Sequence, residues 1–262
     1  MEINRQKIIE VVLEAGEILK KYFYSDSLVV YQKEGVDYTT EADREVDAFL
    51  IEKLKALYPE TEFLTEETSS GDYSFFLDKD NLWVIDPLDG TVNFSRKNPH
   101  FSISVALVNK GQPVLGIVYL PMLNDLYFAD EIGAFLNQKL IHVSSVNNLR
   151  ELVLACDWSW DLEKRKEVVK WLSNINSNIR QIKSMGSAVA DLASLAEGKI
   201  DVYIHSGTKP WDVAASSLII RRAGGEITDT EGGEWNIFNP GIVASNKIIH
   251  KEIIKIINKG TD

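Results

Sequence analysis

Hydrophobic positions recur with a helical period over residues 4–24, where Ile8, Ile9, Val11, Val12, Ala15, Ile18, Leu19 and Tyr22 share one face and charges the other. Residues 28–31 read as a short strand, followed by a polar loop at 33–37. Thr40 is suited to cap a helix running to about Tyr58, with Ala42, Val46, Phe49, Leu50 and Leu54 inward and Pro59 beyond its end. Residues 62–65 form a strand that delivers Glu66 and Glu67. After a loose polar stretch at 68–80 comes a β-branched and aromatic run, 82–85, stopped by Pro87.

Over residues 101–140 the pattern turns to β. Ser102-Ile103-Ser104-Val105 alternates, Gly111-Gln112-Pro113 marks a turn, and 114–120, 126–128 and 133–136 are strands between turns. Consecutive hairpins of this kind predict an antiparallel meander. Beyond it, strands at 152–156, 179–182, 201–205 and 242–244 alternate with helices at 162–172, 187–197, 211–223 and 247–257. Gly198 and Gly224-Gly225 close two of these helices. The expected class is α/β (α+β): one domain over 1–262, with a sheet-rich half at 1–145 and an alternating half at 146–262.

The 262 residues are enough to bury a sizeable core, and 45% hydrophobic with 26% charged residues is ordinary for a globular chain. A net charge of −11 argues against binding a nucleic-acid backbone, which calls for a basic face. The single cysteine, Cys156, excludes an intrachain disulfide. Neither an apolar leader core at Met1-Glu2-Ile3-Asn4-Arg5 nor a membrane-length apolar run is present, so a cytoplasmic protein is expected.

Candidate chemistry concentrates at Asp86-Pro87-Leu88-Asp89-Gly90-Thr91. Two carboxylates at a strand end suit a hard cation such as Mg²⁺, and a Gly-Thr step opening a helix offers N–H groups to an anion. Metal and phosphate would then lie side by side, as in a metal-dependent phosphate-ester hydrolase. Two-metal hydrolysis needs several carboxylates around ions roughly 3.5–4 Å apart, so Asp86 and Asp89 are too few. Glu66 at a strand end and Asp212 in the first turn of its helix are candidates to complete the set. Each also has a plain reading, as a surface acid or as a charge favourable to a helix dipole.

Taken together, Asp86-Pro87-Leu88-Asp89-Gly90-Thr91-Val92-Asn93-Phe94, Trp211-Asp212-Val213-Ala214-Ala215, Thr39-Thr40-Glu41-Ala42-Asp43 and Thr65-Glu66-Glu67 resemble the inositol monophosphatase family. That family belongs to the Mg²⁺-dependent, Li⁺-sensitive sugar phosphatases. The resemblance implies a layered α-β-α-β-α sandwich. It also implies first-metal ligands Glu66, Asp86 and the Leu88 carbonyl, second-metal ligands Asp86, Asp89 and Asp212, and a weaker third ion held by Glu66. Thr91 with Asp43 would orient and deprotonate the attacking water, and the N–H groups of Gly90 and Thr91 would hold phosphate. Gly186, Ser187 and Ala188 match the segment that lines the family's substrate pocket.

Two positions depart from the family pattern. Thr65 stands where glycine is usual, and His205 stands where an acidic residue often binds ring hydroxyls. A His205 and Lys209 rim would suit a second phosphate or a charged substrate. The leading substrate is inositol 1-phosphate. Fructose 1,6-bisphosphate is the runner-up, histidinol phosphate and 3′-phosphoadenosine 5′-phosphate follow, and a non-catalytic phospho-ligand binding protein is the rival from another class. A homodimer is the family habit, and no nucleic-acid or membrane partner is expected. Lys33 is placed near the third ion by the same resemblance. The remaining candidates have bland readings: His100, His142 and His250 as surface or satisfied polar groups, Cys156 as buried and inert, and Trp158, Trp160 and Trp171 as packing residues.

Overall fold

Asn4 opens the first helix, α1 (Arg5–Phe23), by accepting a hydrogen bond from the Lys7 N–H at 3.1 Å. The computed structural model describes residues 3–33, 38–69 and 71–259, so positions 34–37 of the polar loop lie outside the described residues. A hairpin of β1 (Val30–Gln32) and β2 (Tyr38–Thr40) brackets that loop. α2 (Glu41–Leu57) starts on a reciprocal capping box. Thr40 Oγ1 accepts from the Ala42 N–H at 3.2 Å, and Asp43 Oδ2 accepts from the Thr40 N–H at 2.8 Å.

A seven-stranded sheet follows chain order: β3 (Glu62–Thr65), β4 (Leu82–Asp89), β5 (Ser102–Asn109), β6 (Gln112–Leu120), β7 (Asp125–Ala129), β8 (Ala134–Leu136) and β9 (Lys139–Leu140). β3 and β4 pair in parallel and every later neighbour is antiparallel, so the expected meander is present. The short α3 (Thr91–Ser95) joins β4 to β5. Alternation along β5 does not separate core from water. Ile103, Val105 and Leu107 pack with α1 and α2, while Ala106 and Val108 pack on the opposite face under other helices. Ser102 and Ser104, the polar positions of that alternation, are wholly buried on that second face. Ser104 donates to the Trp211 carbonyl at 3.1 Å.

β4 runs past Pro87 to Asp89, further than the expected stop at 85. The register explains how. Asp86 pairs with Ser104 and Asp89 with Ser102, so β4 spends one residue more than β5 over this interval. In a regular strand two residues three apart point to opposite faces, and one extra residue restores both to the same face. Leu88 confirms the switch, since it is buried with Ile85 against α1 and α2 although its even number would place it with Leu82 and Val84.

The second half supplies β10 (Val153–Cys156), α4 (Leu162–Ile175), β11 (Gln181–Lys183), α5 (Ala188–Ala196), β12 (Val202–His205), α6 (Pro210–Arg222), β13 (Glu226–Thr228), β14 (Ile242–Ser245) and α7 (His250–Ile257). Its five-stranded sheet has the order β11-β10-β12-β14-β13. β10 is parallel to both neighbours, whereas β14 is antiparallel to β12 and β13. β13 was not anticipated; three residues directly after Gly224-Gly225 carry too short a pattern.

Five layers result. α1 and α2 cover one face of the first sheet, α5 and α6 fill the space between the sheets, and α4 and α7 cover the far face of the second. The middle layer is tight enough to require a glycine. A Cβ at Gly116 of β6 would lie 2.6 Å from the Ala215 carbonyl oxygen of α6. No helix among the described residues is long and apolar enough to cross a membrane.

Candidate active site

Three element ends meet where the middle helices touch the first sheet. The β4 bulge turns Asp86 and Asp89 toward α5 and α6, and Pro210 starts α6 so that Asp212 falls in its first turn. Asp212 Oδ2 accepts from the Lys209 N–H at 2.7 Å, which aims the carboxylate back along the helix. One carboxylate oxygen from each of Asp86, Asp89 and Asp212 lies within 4.8 Å of the others.

Burial pushes the Asp86 carboxyl well above its ordinary value, and Glu66, Asp89 and Asp212 add repulsion. Asp212 is raised well above the ordinary range by burial and then by Asp89. Asp89 goes up to about 7 through burial, although hydrogen bonds to the Ser187 hydroxyl and the Val189 N–H (3.0 Å) oppose the shift. Asp86 is buried and Asp89 and Asp212 half-buried, and like charges so placed are costly unless a metal joins them. The donors are all hard oxygens, the set Mg²⁺ takes. The residues therefore fit a divalent cation.

Glu66 lies outside that close group. Its Oε1 accepts from Lys33 Nζ at 2.8 Å, and the same ammonium reaches Glu67 Oε1 at 2.8 Å. Burial opposes the Lys33 charge, but the two glutamates outweigh it and hold the ammonium protonated above its ordinary range. Lys33 thus seats a cation against the two glutamates that follow β3.

Asp43, buried at the start of α2, faces the site from the other side. Thr91 Oγ1 donates to Asp43 Oδ1 at 3.0 Å, with the Leu88 carbonyl at 3.1 Å from the same hydroxyl. Asp43 Oδ2 is held by the Thr40 N–H and hydroxyl, at 2.8 and 2.5 Å. Burial lifts this carboxyl to about 7. Gly90 precedes Thr91 with φ +93°, and a side chain there would press on the Gly186 and His100 carbonyls at 3.2 Å.

The turn before α5 is tied down from three sides. Asn93 Nδ2 donates to the carbonyls of His100 and Met185 at 2.7 Å. Asp157 Oδ1 accepts from the Gly186 N–H at 3.0 Å, and the Ser187 hydroxyl and Val189 N–H meet Asp89. Behind the turn, His100 Nε2 lies 3.1 Å from Asp191 Oδ1. Asn93 falls within the motif that carries the resemblance, but nothing there links it to position 186, and Asp157 carries no signal in the sequence that marks this role.

His205 is 6% exposed, stacks on Tyr203, and accepts the Gly207 N–H on Nδ1 at 2.8 Å. Burial, and then the Lys164 charge, lower it to about 4, so it is neutral at pH 7. The cationic rim expected from His205 and Lys209 is left with exposed Lys209 alone. His250 is satisfied by Ser245 and Thr228, and buried Cys156 has its thiol pushed up to about 12. Trp171 is buried at 5%, in keeping with packing, whereas Trp158 and Trp160 are 46% and 50% exposed and pack far less than expected.

The inositol monophosphatase family model matches residues 4–262. A Thermotoga maritima protein named fructose-1,6-bisphosphatase/inositol-1-monophosphatase is 35% identical over 224 residues, 85% of this chain and 83% of its own. An inositol monophosphatase of Dictyostelium discoideum is 33% identical over 258 residues, 96% of this chain and 94% of its own. Among solved structures, the extragenic suppressor protein suhB of Bartonella henselae superposes with a TM-score of 0.89 at 32% identity, covering 97% of this chain and 98% of that one. The chain belongs to the inositol monophosphatase family and is a phosphoric monoester hydrolase.

Proposed function

We propose that this hydrolase is Mg²⁺-dependent and acts on a small polyol or sugar phosphate, with inositol 1-phosphate the leading substrate. The observation that carries the reading is the convergence of Asp86, Asp89 and Asp212 beside the Thr91–Asp43 hydrogen bond. Asp86, Asp89, Asp212, Glu66 and the Leu88 carbonyl are the groups that would hold two or three Mg²⁺ ions. Bound there, such ions supply Lewis acidity, which lowers the pKa of a water and offsets charge on the phosphoryl oxygens.

The chain's own residues then act on a proton and on the phosphate. Thr91 Oγ1 takes a proton from the attacking water as it passes its own to Asp43 Oδ1. Asp43 must be ionised to receive it, and a cation charge nearby favours that form. The capping bonds from Thr40 fix the carboxylate so that one oxygen always faces Thr91. The N–H groups of Gly90 and Thr91 hold phosphoryl oxygens, and Gly186, Ser187 and Ala188 border the alcohol.

A second reading, activity on fructose 1,6-bisphosphate, is favoured by the double name of the Thermotoga maritima relative and by Lys209 as a cation for a second phosphate. Li⁺ sensitivity, a homodimer and a cytoplasmic location complete the proposal. Phosphate release from a panel of sugar phosphates, with Mg²⁺ and with or without Li⁺, tests it. Selective, Li⁺-inhibited release from inositol 1-phosphate supports the leading reading. Tight binding without release under any metal would sink it in favour of a phospho-ligand binding protein.

A further inference from the structure

Behind the turn that precedes α5 lies a group of titratable side chains that the chemistry above does not use. His100 Nε2 is 3.1 Å from Asp191 Oδ1, and Asp191 is wholly buried in the first turn of α5. The second oxygen, Asp191 Oδ2, is buried and accepts no hydrogen bond among the described residues. The Asp157 carboxyl is within hydrogen-bonding reach of Asp191. Asp157 is 8% exposed and in turn holds the turn itself. Its Oδ1 accepts the Gly186 N–H at 3.0 Å and the Ser184 hydroxyl at 3.3 Å, and its Oδ2 accepts the Tyr203 hydroxyl at 3.3 Å. Polar contacts thus run from the imidazole through two carboxyls to the backbone of residue 186.

Two carboxylates in contact inside a protein do not both stay charged, because each opposes the ionisation of the other and burial opposes both. A proton held between them removes one charge and supplies a hydrogen bond from Asp157 to Asp191. One negative charge remains, and an imidazolium at His100 offsets it. Burial opposes a charge on His100, but Asp191, with Asp89 and Asp157 further off, outweighs burial and raises the ring above its ordinary value. Burial and then Asp191 lift the Asp157 carboxyl to about 6, and burial raises Asp191 as well. Cys156 and Tyr203, which also face this pair, are pushed upward by burial and stay neutral up to pH 8.

We propose that His100, Asp191 and Asp157 are positioning residues: a proton shared by the two carboxyls, beside the charge of His100, holds Gly186, Ser187 and Ala188 in the shape that borders the substrate. This inference rests on the reading above that the turn is part of the substrate site. The three residues act through the turn and not on the reacting atoms. A raised carboxyl keeps its proton at low pH and loses it to water as pH rises through the raised value. Two ionised carboxylates then repel each other, and the hold of Asp157 on the Gly186 N–H loosens.

Asp157→Asn tests this, because the amide keeps an oxygen for the Gly186 N–H and gives Asp191 a donor that pH cannot remove. KM under Mg²⁺ is measured from pH 5 to pH 8 for the native protein and the variant, with inositol 1-phosphate or, where it is the better substrate, fructose 1,6-bisphosphate. Amide exchange at Gly186 is followed by NMR over the same range. Ionisation of the ester and of the carboxylates around the metal is common to both proteins and cancels in the ratio. The ratio of native to variant KM should rise by about 3- to 10-fold across the range, with the kcat ratio constant within about twofold. Exchange at Gly186 should quicken in the native protein relative to the variant by a similar factor. Asp157→Ala, which removes the acceptor, should show a raised KM and fast exchange at both ends of the range. A flat ratio in either measurement overturns the inference, as does an Asp157→Asn protein that behaves like Asp157→Ala. Exchange is read without turnover, so a native protein that releases no phosphate yet shows the expected exchange ratio fails the phosphatase reading and leaves the positioning role standing.

Discussion

Without metal, the protein should lose stability as pH rises from 5 to 7, and Asp43 lets the effect be worked through for one group. Its carboxyl is 1% exposed and burial lifts its pKa from 3.8 to about 7. A raised carboxyl binds its proton more tightly in the folded than in the unfolded chain. The folded state is therefore favoured at low pH, and the advantage is lost as pH climbs from the unfolded to the folded value. Between pH 5 and pH 7 the unfolded chain has already ionised while the folded one largely has not. The stability lost over that interval through this one group is about 2 kcal/mol. For a chain of this size that corresponds to a fall in Tm of roughly 4–8 °C.

The assay is urea unfolding in EDTA at pH 5 and pH 7, for the native protein and for Asp43→Asn. The amide is neutral throughout, so the variant should lose about 2 kcal/mol of the pH dependence. Asp47, Asp86, Asp89 and Asp212 are shifted the same way, so part of the slope remains. Comparing slopes sets aside whatever the substitution does to the capping box at a single pH. Identical slopes in the two proteins, or a native protein that grows more stable toward pH 7, would refute the reasoning.

Asp212→Asn should stabilise the metal-free protein by relieving repulsion from Asp89, and should abolish the rise in Tm on adding Mg²⁺; differential scanning fluorimetry reads both. Thr91→Ala should cut kcat by about 100-fold or more with little change in KM, as expected for a group that handles a proton in the transition state. A change confined to KM would limit Thr91 to phosphate binding. Gly116→Ala should cost about 1–3 kcal/mol in urea unfolding, because its Cβ meets the backbone oxygen of Ala215 rather than a side chain that can swing away.

Local chemistry made the largest parts of this molecule legible. The Thr40 cap, the helical faces of α1 and α2 and the hairpin signals of the meander are all encoded within a few residues of where they act. What escaped the sequence depends on partners far along the chain. The bulge at Asp86 and Asp89 is a relation between two strands, and no single strand displays it. The alternation of strands and helices in the second half gives no sign that β14 runs antiparallel to β12. Lys33 meets Glu66 and Glu67 across 33 and 34 residues, and Asp157 meets Gly186 across 29. Burial does not follow from residue type alone: Ser102 and Ser104 are inside because both faces of the sheet are covered, while Trp158 and Trp160, expected to pack, stand out on a loop.

The position of α5 and α6 between the two sheets has a consequence for motion. Both helices are largely buried, and the residues they bring to the site stand at or next to their first turns: Ser187, which holds Asp89, and Asp212. Opening the site by fraying would require an element that can detach alone, and such elements have few buried contacts. These two have contacts on both sides. Amide hydrogens of α6 should therefore exchange only with global unfolding, at the same free energy as the whole chain. The acidic cluster thus cannot relax its repulsion by local melting, so that only a cation, protonation or complete unfolding relieves it.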